Sequence, residues 1–109
     1  MNGKTIGQFI KDLRKEKGLT LTQMGARLNI DSGALSKIEN GKRKLDEKIL
    51  PKLAKEFNLD LQELKKEYLS EIIAIKIYSD TNSDEILKLA EKKIKYFKQN
   101  EVKQISLNL

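Results

Sequence analysis

The sequence predicts an all-α fold, and three observations predict it. Between breakers, apolar residues recur at steps of three and four, the period of a helix with one buried side. Thr or Asp stands ahead of these stretches with Gln or Glu three places on, and Gly or Asn stands behind them, which are helix start and stop signals. The 109 residues include one Pro and six Gly, so little in the chain opposes continuous helix. With 39% apolar and 35% charged residues, this is material for one compact domain with a small appendage.

Each element can be justified in order. Thr5 and Gln8 have the spacing of a capping box, and Ile6, Phe9, Ile10 and Leu13 give a first helix that stops at Gly18. Thr20 and Gln23 repeat the box, Leu19 and Met24 stand where a hydrophobic staple packs, and a second helix runs over 21–28. Asn29 suits a left-handed turn, and Asp31 caps a third helix that ends near Asn40-Gly41. The short connection through Asn29, Ile30 and Asp31 has helix-turn-helix spacing, with small Gly25 letting the third helix cross closely, although a plain helical hairpin shares these features. A fourth helix covers about 47–57. Pro51 is tolerable only in a first turn, so that helix should begin late. Asp60 and Glu63 form another N-terminal box for a fifth helix reaching about Tyr78, and a last helix runs from about Asp84 to Gln99. The tail from Val102 to Leu109 alternates weakly and reads as strand or frayed coil.

Composition excludes much. There is no Cys and no His, which removes disulfides, thiolate metal sites and the commonest general base, and no arrangement of a nucleophile with an oriented base stands out. No enzyme activity, metal or cofactor is expected. The apolar run from Ile72 to Tyr78 is too short to span a bilayer, and no signal-peptide pattern opens the chain, so the expected location is the cytoplasm. Residues 1–44 hold ten basic against four acidic side chains, an excess equal to the +6 of the whole chain. A basic half beside a balanced one suggests a polyanionic partner for the first.

At about 100° per residue, Ser32, Gly33, Ser36, Lys37 and Asn40 share one arc of the third helix, while Ala34, Leu35 and Ile38 share the other. The first arc is polar or very small; the second is expected to be buried. Glu39 lies on the border, and Arg14 is the cation expected to neutralise it.

Leu19-Thr20, Ala26, Leu28, Ile30, Leu35-Ser36 and Lys37-Ile38-Glu39-Asn40-Gly41-Lys42-Arg43 resemble the helix-turn-helix of phage-repressor-like (XRE-type) transcriptional regulators. The likeness extends through Leu53-Ala54-Lys55 and Leu59 to Leu64. It implies a five-helix DNA-binding bundle over residues 1–64 whose third helix enters the major groove. By position it places Ser32, Gly33, Ser36 and Lys37 at base edges and Asn40, Lys42 and Arg43 on the phosphate backbone; Lys44 continues that basic run. Leu21 departs from the resemblance, which often has Gln there, and leaves Thr20 or Thr22 to meet the backbone. Ser32, Gly33 and Ala34 are also smaller than the side chains usual at these positions, which shifts part of the expected readout towards DNA shape.

Residues 65–109 are read as a helical extension. Leu61, Leu64, Tyr68, Ile72 and Ile75 step by threes and fours like a packing seam, and Leu69, Ile73 and Ile77 widen it. The expected use is homodimerisation, with Tyr68, Leu69, Ile72, Ile73 and Ile75 in the interface; the competing expectation is that the last helix folds back over the stripe. The extension is diffusely similar to tails of small controllers encoded beside restriction-modification genes. Together these readings lead to a sequence-specific double-stranded DNA-binding regulator, dimeric on a two-fold-related operator. The alternative is an antitoxin-like autoregulator whose C-terminal half binds a partner protein.

Overall fold

The computed structural model describes residues 4–100, and among them helices occur and strands do not. The helices are α1 (Ile6–Glu16), α2 (Leu21–Leu28), α3 (Ser32–Glu39), α4 (Leu50–Phe57), α5 (Leu61–Ile77) and α6 (Ser83–Asn100), with a 3-10 turn at Glu47–Ile49 leading into α4. The expected tail from Val102 onwards lies outside the described residues. No helix among them is long and apolar enough to cross a membrane.

Local chemistry sets most helix ends. Thr20 forms the full box: its Oγ1 accepts from the Gln23 amide at 3.1 Å, and Gln23 Oε1 accepts from the Thr20 amide at 2.9 Å. At α1 only half of the expected box forms. Thr5 Oγ1 accepts from the Gln8 amide, but the Gln8 side chain donates to Asp12 Oδ1 at 2.8 Å instead of returning to Thr5. Asp60 likewise caps the Gln62 and Glu63 amides while the Glu63 carboxylate turns to Lys66. Pro51 sits in the first turn of α4, and the 3-10 turn before it, capped by Asp46, absorbs the late start that the proline requires.

The chain divides into two compact units, Met1–Ile73 and Ala74–Leu109. The division falls inside α5, so the first unit continues beyond the expected boundary at Leu64. Its core takes Ile10 from α1, Met24 and Leu28 from α2, Leu35 from α3, Leu50 and Leu53 from α4, and Leu64 and Tyr68 from α5. α3 packs against both α1 and α2, and α2 also packs on α4. Gly7 makes the α1 crossing possible, because a Cβ there would run into the Ile38 carbonyl oxygen. Gly25 has a related task in a different place from the expected one: its missing side chain makes room for the Ile30 carbonyl of the turn, not for the body of α3.

Two residues expected in a dimer seam belong instead to this unit. Tyr68 is 4% exposed, and its hydroxyl donates to the Leu45 carbonyl at 2.7 Å. Burial raises the Tyr68 phenol above the usual tyrosine range. Ile72 is half-buried and packs against the same core. The reason is that Leu64, Tyr68 and Ile72 lie four apart on the side of α5 that completes the bundle, so the seam read from the sequence is largely internal. Next to them, Leu69 is 49% and Ile73 51% exposed.

In the second unit Ile75 is 62% exposed. Tyr78, Leu87, Leu89, Ile94 and Tyr96 are also large exposed apolar side chains, and α6 buries no residue.

Candidate nucleic-acid interface

α3 is anchored at both ends and on one side, which leaves the other side as a fixed surface. At the start, Asp31 Oδ2 accepts from the Ala34 amide at 3.1 Å. Ahead of it, Asn29 takes the left-handed conformation (φ 57°) and turns the chain from α2. At the far end Gly41 has φ 74°; its amide donates to Ile38 O at 3.2 Å and the Lys42 amide donates to Lys37 O at 2.8 Å. This paired closure defines where the chain leaves the helix, and so where Lys42, Arg43 and Lys44 begin.

The inner side of α3 buries Leu35, Ile38 and Glu39. Glu39 is met by Arg14 as expected: Nε lies 2.8 Å from Oε2, and a second guanidinium nitrogen lies 3.1 Å from Oε1. The third nitrogen donates to the Leu19 carbonyl at 3.0 Å. Hydrogen bonding to Glu39 raises the Arg14 guanidinium above its already high ordinary value. Arg14 is thus fully engaged inside the bundle, where it fastens α1 to α3 and to the start of α2.

The outward arc carries the expected group. Gly33, Lys37 and Asn40 are exposed, and Ser32 and Ser36 are half-buried beside them. Lys42, Arg43 and Lys44 are all exposed just past Gly41. Among the described residues none of Lys37, Lys42, Arg43 and Lys44 stands in an ion pair, so their charge is not cancelled locally. Thr22 is exposed at the start of α2, and the Thr20 oxygen is occupied as the cap, leaving only its hydroxyl proton to offer outwards. Leu21, the departure from the resemblance, packs against the core. Ala34 corrects the expected inner arc. It is half-exposed because it borders an open hollow of about 330 Å³ with Ile30 and Ile38 in its lining and Arg43 and Lys44 at its edge.

Lys11 is a neighbour that the helix-turn-helix pattern does not single out. Its ammonium lies 3.5 Å from Asn40 Oδ1. The signal for it is the spacing of Gly7, Lys11 and Arg14, which fall on one side of a helix.

A short helix held by a tight turn against a second helix, with its small polar side outward and a basic run after its end, defines a DNA-binding helix-turn-helix protein. The helix-turn-helix family model matches residues 10–64, and the chain belongs to that family, as a phage-repressor-like transcriptional regulator that binds double-stranded DNA. Among curated proteins it is similar to the "ImmF control region 10 kDa protein" of Bacillus phage phi105, with 45% identity over 65 residues that cover 60% of this chain and 72% of the phage protein. No solved structure matches the chain.

Proposed function

We propose that the protein is a homodimeric regulator that recognises a two-fold-related operator, with α3 of each copy in one major-groove half-site. The observation that carries this reading is the outward arc of α3. It combines side chains small enough for close approach with one exposed cation, Lys37, on a helix whose two ends are fixed by hydrogen bonds. Lys37 reaches guanine O6 and N7, Ser36 bonds either donor or acceptor edges, and Gly33 and Ser32 let the helix sit deep. Thr20, Thr22, Asn40, Lys42, Arg43 and Lys44 hold phosphates and set the register. The phage control-region relative supports a regulatory role without specifying its sign.

Homodimerisation is supported by the exposed apolar side chains, since a lone chain gains nothing by presenting Leu69, Ile73 and Ile75 together with Leu87, Leu89 and Ile94 to water. Two copies of α3 about 34 Å apart then meet successive turns of one face of the duplex. With three or four phosphates neutralised per copy, log K falls against log salt with a slope of roughly −5 to −7. The decisive experiment is selection of bound fragments from random duplex DNA at about physiological salt. An inverted repeat with half-site centres one helical turn apart is the expected result; enrichment of no sequence at all, at a protein concentration that retains duplex, removes the operator reading.

A further inference from the structure

The side of α1 that faces α3 carries three residues in register, and each meets a different point near the α3 C-terminus. Gly7 lies against the Ile38 carbonyl, Arg14 pairs with Glu39, and between them Lys11 reaches Asn40. The first two contacts are buried and fix how close and at what angle α1 lies. The Lys11 backbone is therefore held by its neighbours on either side, and only its long stem is left to choose a direction.

Two facts set that choice apart from a structural ion pair. Among the described residues the Lys11 ammonium has no carboxylate within ion-pair distance, and its one hydrogen-bond partner is the neutral oxygen of Asn40. Asn40 itself is exposed and immediately precedes Gly41-Lys42-Arg43. A cation beside the amide selects its oxygen, which leaves the adjacent Asn40 NH₂ group as a donor that meets no protein acceptor among the described residues. The result is an ammonium and an amide donor side by side, with no anion among the described residues to satisfy them, at the edge of the surface that carries Lys42 and Arg43.

We propose that Lys11 is a DNA-binding residue. It neutralises a backbone phosphate and at the same time orients the Asn40 amide onto that phosphate, so that α1 as well as the helix-turn-helix holds the duplex. This deepens the DNA-binding reading and rests on it. The ligand chemistry is the phosphodiester, independent of base sequence, because the two donors stand off the outward arc of α3, beside the basic run that follows it, and an ammonium with an amide N–H suits an anionic oxygen.

The test measures equilibrium binding of the full chain to a mixed-sequence synthetic duplex over a series of salt concentrations. The parent is compared with Lys11→Met, which keeps the apolar stem, and Lys11→Arg, which restores the charge; thermal unfolding of all three is followed in parallel. The expected result is that Lys11→Met unfolds as the parent does, binds several-fold more weakly at low salt, and has a salt slope shallower by about 0.9 for each copy of the chain on the duplex. Lys11→Arg is expected to recover the slope. Parental affinity and slope in Lys11→Met overturn the inference while leaving the DNA-binding reading intact. A loss of affinity at unchanged slope reduces Lys11 to a prop for the end of α3 and also overturns it. Failure of the parent to bind any duplex removes the underlying reading, and the inference falls with it.

Discussion

Leu50 and Leu87 are the same residue in two regions of one chain, and their surroundings are opposite. Leu50 is completely buried in the first unit, whereas Leu87 is 48% exposed on α6. The contrast is general: core residues of the first unit come from five helices, while α6 contributes none. Periodic apolar spacing is present in both regions, so periodicity records only that a helix has a side to cover, not what covers it. The first unit covers its own. For the second, a further copy of the chain is our proposed cover.

The contrast is broken most severely by disturbing the buried charged pair of the first unit. Arg14→Ala leaves Glu39, whose side chain is 2% exposed, without its counter-charge, and should cost about 3–5 kcal/mol in urea unfolding. The paired replacement Arg14→Met with Glu39→Leu should recover much of that loss. If Arg14→Ala is as stable as the parent, the pair does not hold α1 to α3.

Next in size is Tyr68, which tests where the first unit ends. Tyr68→Phe deprives the buried Leu45 carbonyl of its donor, and should cost about 1–3 kcal/mol. It also has a pH signature. Burial raises the phenol in the folded state, so the folded chain holds that proton more tightly than the unfolded one. Its contribution is therefore fully present below the ordinary tyrosine value, about 10. It is lost as pH rises from there through the folded-state value. The parent should lose stability over that alkaline interval more steeply than Tyr68→Phe, and parallel curves would place Tyr68 outside the core.

On the proposed DNA-facing surface the comparable distinction is between reading and holding. Lys37→Ala should weaken binding to the selected operator by about 1–3 kcal/mol and relax preference at one base pair. Arg43→Ala should weaken operator and random duplex alike and make the salt slope shallower by about 0.9 per copy. Equal losses on both kinds of DNA for Lys37→Ala would move it from the first class to the second.

How much of the molecule is legible in its sequence depends on the range of the interaction. Thr20 and Asp31 accept from amides three residues on, Asn29 and Gly41 turn the chain through a left-handed conformation, and residue type and spacing alone reveal these roles. Arg14 with Glu39 is legible too, since a border carboxylate on a mostly buried helix demands a cation and α1 offers one in position. Competition between partners is not visible in this way: the Gln8 side chain could accept from the Thr5 amide or donate to Asp12, and it takes Asp12. Nor is distance. The Ile6 amide is capped at 2.7 Å by Glu71, a partner from α5 that no local rule connects to the start of α1. α5 defeats the periodic reading for a different reason. It has apolar residues on several sides, and only the packed structure shows that Tyr68 goes inward while Leu69 stays out.

That division leads to the smallest effect expected on folding and the most direct check on the second region. Leu87 and Ile94 lie seven residues apart, hence on one side of α6, and each is about half exposed. The double variant Leu87→Lys with Ile94→Lys changes no residue of the first unit and no buried residue of α6, so urea unfolding of the first unit should shift by no more than about 0.5 kcal/mol. Association has the opposite expectation. Two lysines per chain in a shared apolar seam bring like charges together and expose carbon that dimerisation would have covered, so sedimentation should find monomers at concentrations where the parent is paired. Operator affinity should then drop while binding to random duplex by a single copy persists, because α3 and its basic flank are untouched. A parent that sediments as a monomer at every concentration would reverse the comparison: the exposed side chains of the second region would then need a partner other than a copy of this chain.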